Sequence, residues 1–96
     1  MTLQEAKDIV KISKTFDLNY QENEYFDRVF KPLREAVASG NMNVIEYLDS
    51  LSKEEYSDVY TAVAWGAKYG KHPKAIQLYK KMCKAEGYRL DPEIVS

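Results

Sequence analysis

The sequence predicts an all-α fold: a single small bundle of about five helices around a central helix over 52–69, in one domain covering 1–96. Three observations predict it. Apolar residues recur at helical spacing along most of the chain. Capping residues stand where helices should start, and glycines where they should stop. No sustained two-residue alternation and no Asn-Gly or Asp-Gly hairpin signal appears.

The central element is SKEEYSDVYTAVAWGAKYG. Ser52 and Glu55 have capping-box spacing, and Leu51 is placed to fold onto Tyr56 as a hydrophobic staple. Glu54, Glu55 and Asp58 put negative charge at the helix start, and Lys68 puts positive charge near its end. Gly70 is expected to supply a left-handed stop. Tyr56, Val59, Tyr60, Val63 and Ala67 form one apolar stripe; Ala62, Trp65 and Tyr69 form a second. Two apolar faces predict a helix sandwiched between neighbours. Ala64, Gly66 and Ala67 are small enough to admit a neighbouring helix at close range.

The remaining elements follow in order. Thr2 and Glu5 make another capping box. Leu3, Ala6, Ile9 and Val10 carry a first helix to about Phe16, with Lys7, Lys11 and Lys14 on its wet side. The polar stretch Asp17 to Asn23 reads as a connection, and Asn23 as the cap of a second helix. Phe26, Val29, Phe30, Leu33, Ala36 and Val37 hold one stripe as far as Gly40. Pro32 interrupts it by removing one hydrogen-bond donor. Because the stripe keeps its phase, one kinked helix is expected rather than two short ones. Asn41 or Asn43 caps a short third helix with Val44, Ile45, Leu48 and Leu51. After the central helix, His72 caps and Pro73 opens the last long helix. Its stripe is Ala75, Ile76, Tyr79, Met82 and Cys83, and Gly87 ends it. Asp91-Pro92 can start one more turn.

Ninety-six residues suffice for one modest core. The single Cys83 allows no internal disulfide and points to a reducing compartment. With no signal-like or membrane-length apolar run, a cytoplasmic protein without membrane contact is expected. Net charge is −1, but residues 1–58 carry twelve acids and seven bases, whereas 59–96 carry three and seven. That asymmetry suits a basic binding face, internal neutralisation or head-to-tail self-association.

Residues that could do chemistry are sparse. His72, before Pro73, reads as a cap. Cys83 and His72 lie on different elements with no orienting group, so a nucleophile–base pair is not expected. Neither metal-ligand spacings nor a phosphate-cradling glycine loop appear, so no catalytic residue, metal or other cofactor is expected. The candidate binding surface is Lys71, Lys74, Lys80, Lys81, Lys84 and Arg89 with Tyr69 and Tyr88, since cations beside aromatics bind nucleic acid. A solvated helix face explains the same lysines, and a pI near 5.8 speaks against a dedicated nucleic-acid binder. Eight tyrosines suit core edges, the preferred reading, or a contact surface, for which Tyr20 and Tyr25 near the polar connection are the candidates.

From Val59, the run VYTAVAWGAKYGKHPKAIQLYKKMCKAEGYRLDPE resembles one helical hairpin of the tetratricopeptide and pentatricopeptide families. The features that carry this are the small residues, Tyr69-Gly70 closing one helix, and KAIQLYKKM forming the next. SGNMNVIEYLDSL echoes the same pattern upstream, Gly40 and Gly70 lying thirty residues apart; family repeats are somewhat longer, and Pro32 departs from the pattern. LSKEEYSDVYTAVAWGAKYG is also similar to an uncharacterised family of small bacterial helical proteins with an acidic helix start and a Trp-Gly pair. Both resemblances imply fold and no activity. The resulting expectation is a non-enzymatic protein-interaction module, such as a small bacterial or phage-encoded regulator or inhibitor, whose partner is another protein or a second copy. The alternative is RNA or DNA binding through the lysine face of the last hairpin.

Overall fold

A computed structural model describes residues 1–14 and 24–95, with residues 24–27 described at the backbone only. These residues form six helices and no strand: α1 Leu3–Ser13, α2 Glu24–Ala38, α3 Met42–Asp49, α4 Lys53–Gly70, α5 Pro73–Glu86 and α6 Pro92–Val95. The expected all-α bundle is what is found. Phe16, the 17–23 connection with Tyr20, the Asn23 cap and the side chains of Tyr25 and Phe26 lie outside the described residues.

The helix ends form as local chemistry dictates. Thr2 and Glu5 close a reciprocal box, each backbone N–H reaching the other's side chain at 3.2 Å. Ser52 and Glu55 do the same at 3.4 Å. Asn41, not Asn43, caps α3, its Oδ1 accepting from the Val44 N–H at 3.3 Å. Asn41 also donates to the Met1 carbonyl at 3.1 Å, fastening the start of α1 to the α2–α3 turn. His72 Nδ1 accepts from the Lys74 N–H at 3.2 Å, and Pro73 takes the first helical position. Gly40 and Gly87 end α2 and α5 with φ of 76° and 74°. In each case the next residue's N–H reaches back five positions, Asn41 to Ala36 and Tyr88 to Cys83, which satisfies the last carbonyls. Pro32 sits exposed within one uninterrupted helix.

Three expectations need correction. Gly70 is not the left-handed stop. It is the last helical residue of α4, and Lys71 takes the left-handed conformation with φ 54°. Gly70 is glycine for another reason: a Cβ there would overlap the Ala38 carbonyl of α2. In α5 Ala75, Tyr79, Met82 and Cys83 are buried as expected, but Leu78 joins them in place of Ile76, which is only half-buried. The second stripe of α4 also fails to bury as a unit. Ala62 is buried, Trp65 half-buried and Tyr69 63% exposed. α4 is therefore covered around a broad arc and open along the strip that carries Trp65 and Tyr69.

α4 is nevertheless the hub. It packs chiefly against α2 and α5 and also touches α1 and α6. Val59, Val63 and Ala67 are almost wholly buried with Val37, Leu33, Leu48 and Met82 in one continuous core. Each large apolar side chain so buried contributes about 1.5–3 kcal/mol. A Cβ on Gly66 would come within 2.6 Å of Val37, so this glycine lets α2 lie close against α4.

The contacts also reveal an order not expected from the sequence. Arg34 faces Trp65, Val37 faces Gly66 and Ala38 faces Gly70, so α2 and α4 run parallel. Gly40 packs under the His72 ring and Asp49 bonds Lys81, so α3 and α5 also run parallel. Tyr60, early in α4, meets Cys83, late in α5, which makes that pair antiparallel, as their two-residue connection requires. Hairpin α2–α3 thus stacks on hairpin α4–α5 in matching register. α1 lies against α2, α3 and α4, with Lys7 over the Tyr47 ring of α3 and Lys14 paired to Glu55 of α4 at 2.6 Å.

Candidate functional site

The lysine-rich surface divides into groups with different surroundings. Lys71 points its amine at the Glu93 and Ile94 carbonyls, holding the end of α6. Lys81 binds Asp49 through its carboxylate at 2.7 Å and its carbonyl at 3.3 Å. Lys74 lies on the same side of α5, facing α3. Lys80 and Lys84 are exposed on the outer side of α5 and make no ion pair with any described residue. Arg89 is exposed in the segment after α5.

The two tyrosines assigned to this surface pack on different partners. Tyr88 turns its edge onto Tyr60 at 4.8 Å between centroids. Tyr69 packs on Trp65 at 4.9 Å. Tyr60 and Tyr69 are nine residues apart on α4, about 14 Å along the axis. Tyr69 and Tyr88 therefore do not form one aromatic platform.

Tyr69 belongs instead to a row across the open side of α2 and α4. The Arg34 guanidinium lies 4.8 Å from the centre of the Trp65 ring, Trp65 packs on Tyr69, and the Lys68 amine lies 5.5 Å over Tyr69. Each cation is within the range at which ring quadrupoles attract it. Lys68 also pairs with Glu93 of α6 at 3.0 Å, an exposed contact of small energetic weight. Trp65 and Tyr69 are one helical turn apart with Lys68 between them, a spacing visible in the sequence. Arg34 enters from another helix and carries no local signal.

The tail lies across the α4–α5 hairpin. Tyr88 covers Tyr60, the Asp91 N–H donates to Tyr79 Oη at 2.9 Å, and Ile94 is 3% exposed. Beneath it, Tyr60 Oη is 3.7 Å from Cys83 Sγ. Burial, with the nearby thiol and Tyr79, pushes the Tyr60 hydroxyl well above the ordinary tyrosine range, so it stays protonated. Cys83 is buried, and His72 stands three helical turns away, about 16 Å along α5. The two cannot act as nucleophile and base. Among the described residues no group of three His, Cys, Asp or Glu is placed to hold a metal ion, and no helix is long and apolar enough to cross a membrane.

No protein-family model, curated protein or solved structure matches the chain.

Proposed function

We propose that this protein is a non-enzymatic protein-interaction module that engages another protein through the open side of α4. The observation that carries the reading is the row Arg34–Trp65–Tyr69–Lys68, with Tyr69 63% exposed. Tryptophan, tyrosine and arginine dominate the energetically decisive centres of protein interfaces. Here the rings are already held by flanking cations, so little side-chain freedom is lost on binding. Two helical hairpins stacked in parallel offer an extended surface of the kind that stacked helical repeats use for binding. A small cytoplasmic regulator or inhibitor, bacterial or phage-encoded, is the role that such a surface without catalytic groups suits.

The test is site-directed photocrosslinking. A photoreactive amino acid at Tyr69 should capture one defined partner, and Trp65→Ala should abolish that capture while the far-ultraviolet circular dichroism stays helical. Crosslinking that is indifferent to Trp65→Ala would count against the reading. A second reading, RNA or DNA binding, draws on Lys80 and Lys84, which stand outside any ion pair among the described residues. It requires salt-sensitive binding that disappears in Lys80→Glu/Lys84→Glu.

A further inference from the structure

A cleft of about 300 Å³ lies between α3 and α5, on helices other than those that carry Trp65 and Tyr69. It is lined by Met42, Glu46 and Asp49 from α3 and by Lys74, Leu78 and Lys81 from α5, each α5 residue thirty-two positions after its α3 counterpart. The register is pinned at two points, Gly40 under the His72 ring and Asp49 on Lys81. Both lining sets follow the i, i+4, i+7 spacing of one helix face. The result is a straight furrow between two parallel helices, about 10 Å long.

Its floor is apolar. Ile45 and Leu78 close the bottom, and Met42 at one end is 38% exposed. Its walls carry opposite charge: Glu46 and Asp49 on α3, Lys74 and Lys81 on α5. At one end the walls meet through the Asp49–Lys81 bond, whose side chains remain half-exposed. At the other end Lys74 stands opposite Met42 with Glu46 one turn further in, and both charges are exposed and in no ion pair among the described residues.

We infer that this cleft is a second docking site, for a short amphipathic helix of a partner protein. That helix has one apolar anchor facing down, basic residues on the flank facing α3 and acidic residues on the flank facing α5. Ridges of a third helix fit the furrow between two others. The volume sits at the lower end of ligand pockets and admits one or two large side chains, which limits the occupant to about two turns. The opposed walls select its charges: a helix with two acidic flanks meets Glu46 and Asp49, and one with two basic flanks meets Lys74 and Lys81.

The experiment uses the full chain and three stapled helical peptides of about two turns, each with a single leucine anchor. One has a lysine flank and a glutamate flank, one has two glutamate flanks and one has two lysine flanks. The mixed peptide should bind about tenfold more tightly than either of the others. It should shift the backbone amide resonances of Ile45, Glu46 and Leu78. In Glu46→Lys, an exposed change that leaves the core intact, preference should move toward the glutamate-flanked peptide. Equal binding of all three, no binding, or shifts confined to Trp65 and Tyr69 would overturn the inference; the last result would leave the α4 surface standing. Sedimentation that shows the chain pairing with itself through this cleft would overturn it as well.

Discussion

Gly66 and Gly70 set the distance between α2 and α4. Replacing either with alanine raises helix propensity by about 1 kcal/mol. The added methyl on Gly66 would meet Val37 and the Arg34 carbonyl at 2.6 and 2.9 Å, and that on Gly70 would strike the Ala38 backbone. Crowding wins, because overpacking typically costs about 1–3 kcal/mol and a backbone cannot rotate aside. Gly66→Ala should therefore lose up to about 2 kcal/mol net in a urea titration, and Gly70→Ala more. Stabilisation by either change would mean that α2 and α4 do not lie this close. The small residues of the central stretch announced close packing. They did not announce the partner, because Val37 and Ala38 are about thirty positions upstream. Nor did they announce that Lys71 would take the left-handed turn. Gly70 could have taken it, but its lack of a side chain is already used against α2.

α6 is a four-residue element attached by few groups, so its attachment can be dissected. Tyr79→Phe removes the acceptor for the Asp91 N–H and should cost about 1 kcal/mol. Ile94→Ala removes the one buried side chain of α6 and should cost about 2 kcal/mol, the low end for such changes because a short surface turn can settle inward. Hydrogen exchange at Val95 should quicken in both; unchanged exchange would show that the tail is held by something else.

The joint between α1 and α4 responds to pH. The Lys14 amine, and after it the Ser52 N–H, hold the Glu55 carboxyl below its ordinary value near 4.5. A carboxyl lower in the folded than in the unfolded chain stabilises the fold fully above its unfolded value. That contribution is lost as pH falls through the folded value. Asp58 works in the opposite sense, since burial raises it and protonation relieves the native state. Between about pH 5 and pH 3, Glu55→Gln should lose less stability than the parent. Parallel curves would mean that the ion pair is not formed in solution.

At the scale of the whole molecule, the sequence foretold helices and their ends far better than their arrangement. Caps at Thr2, Ser52 and His72 and stops at Gly40 and Gly87 were legible because they depend on residues within five positions of each other. The parallel stacking of two hairpins was not, because it rests on pairs such as Asp49–Lys81 and Arg34–Trp65. The lysines looked like one surface while α5 was read alone. Once α3 and α6 are in place, Lys81 and Lys71 are engaged by them. Trp65 looked like core because a tryptophan at helical spacing usually is; here it packs under an arginine from α2 and leaves an edge to solvent.

The hub position of α4 has a consequence for how the chain is made. Residues 1–51 leave the ribosome before α4 and α5, the helices against which the apolar sides of α1, α2 and α3 pack. A peptide of residues 1–51 should be largely random coil by circular dichroism, and mixing it with a peptide of residues 52–96 should restore helix in proportion to complex formed. Newborn chains from which α4 has not yet emerged are then the stage most exposed to proteases and chaperones.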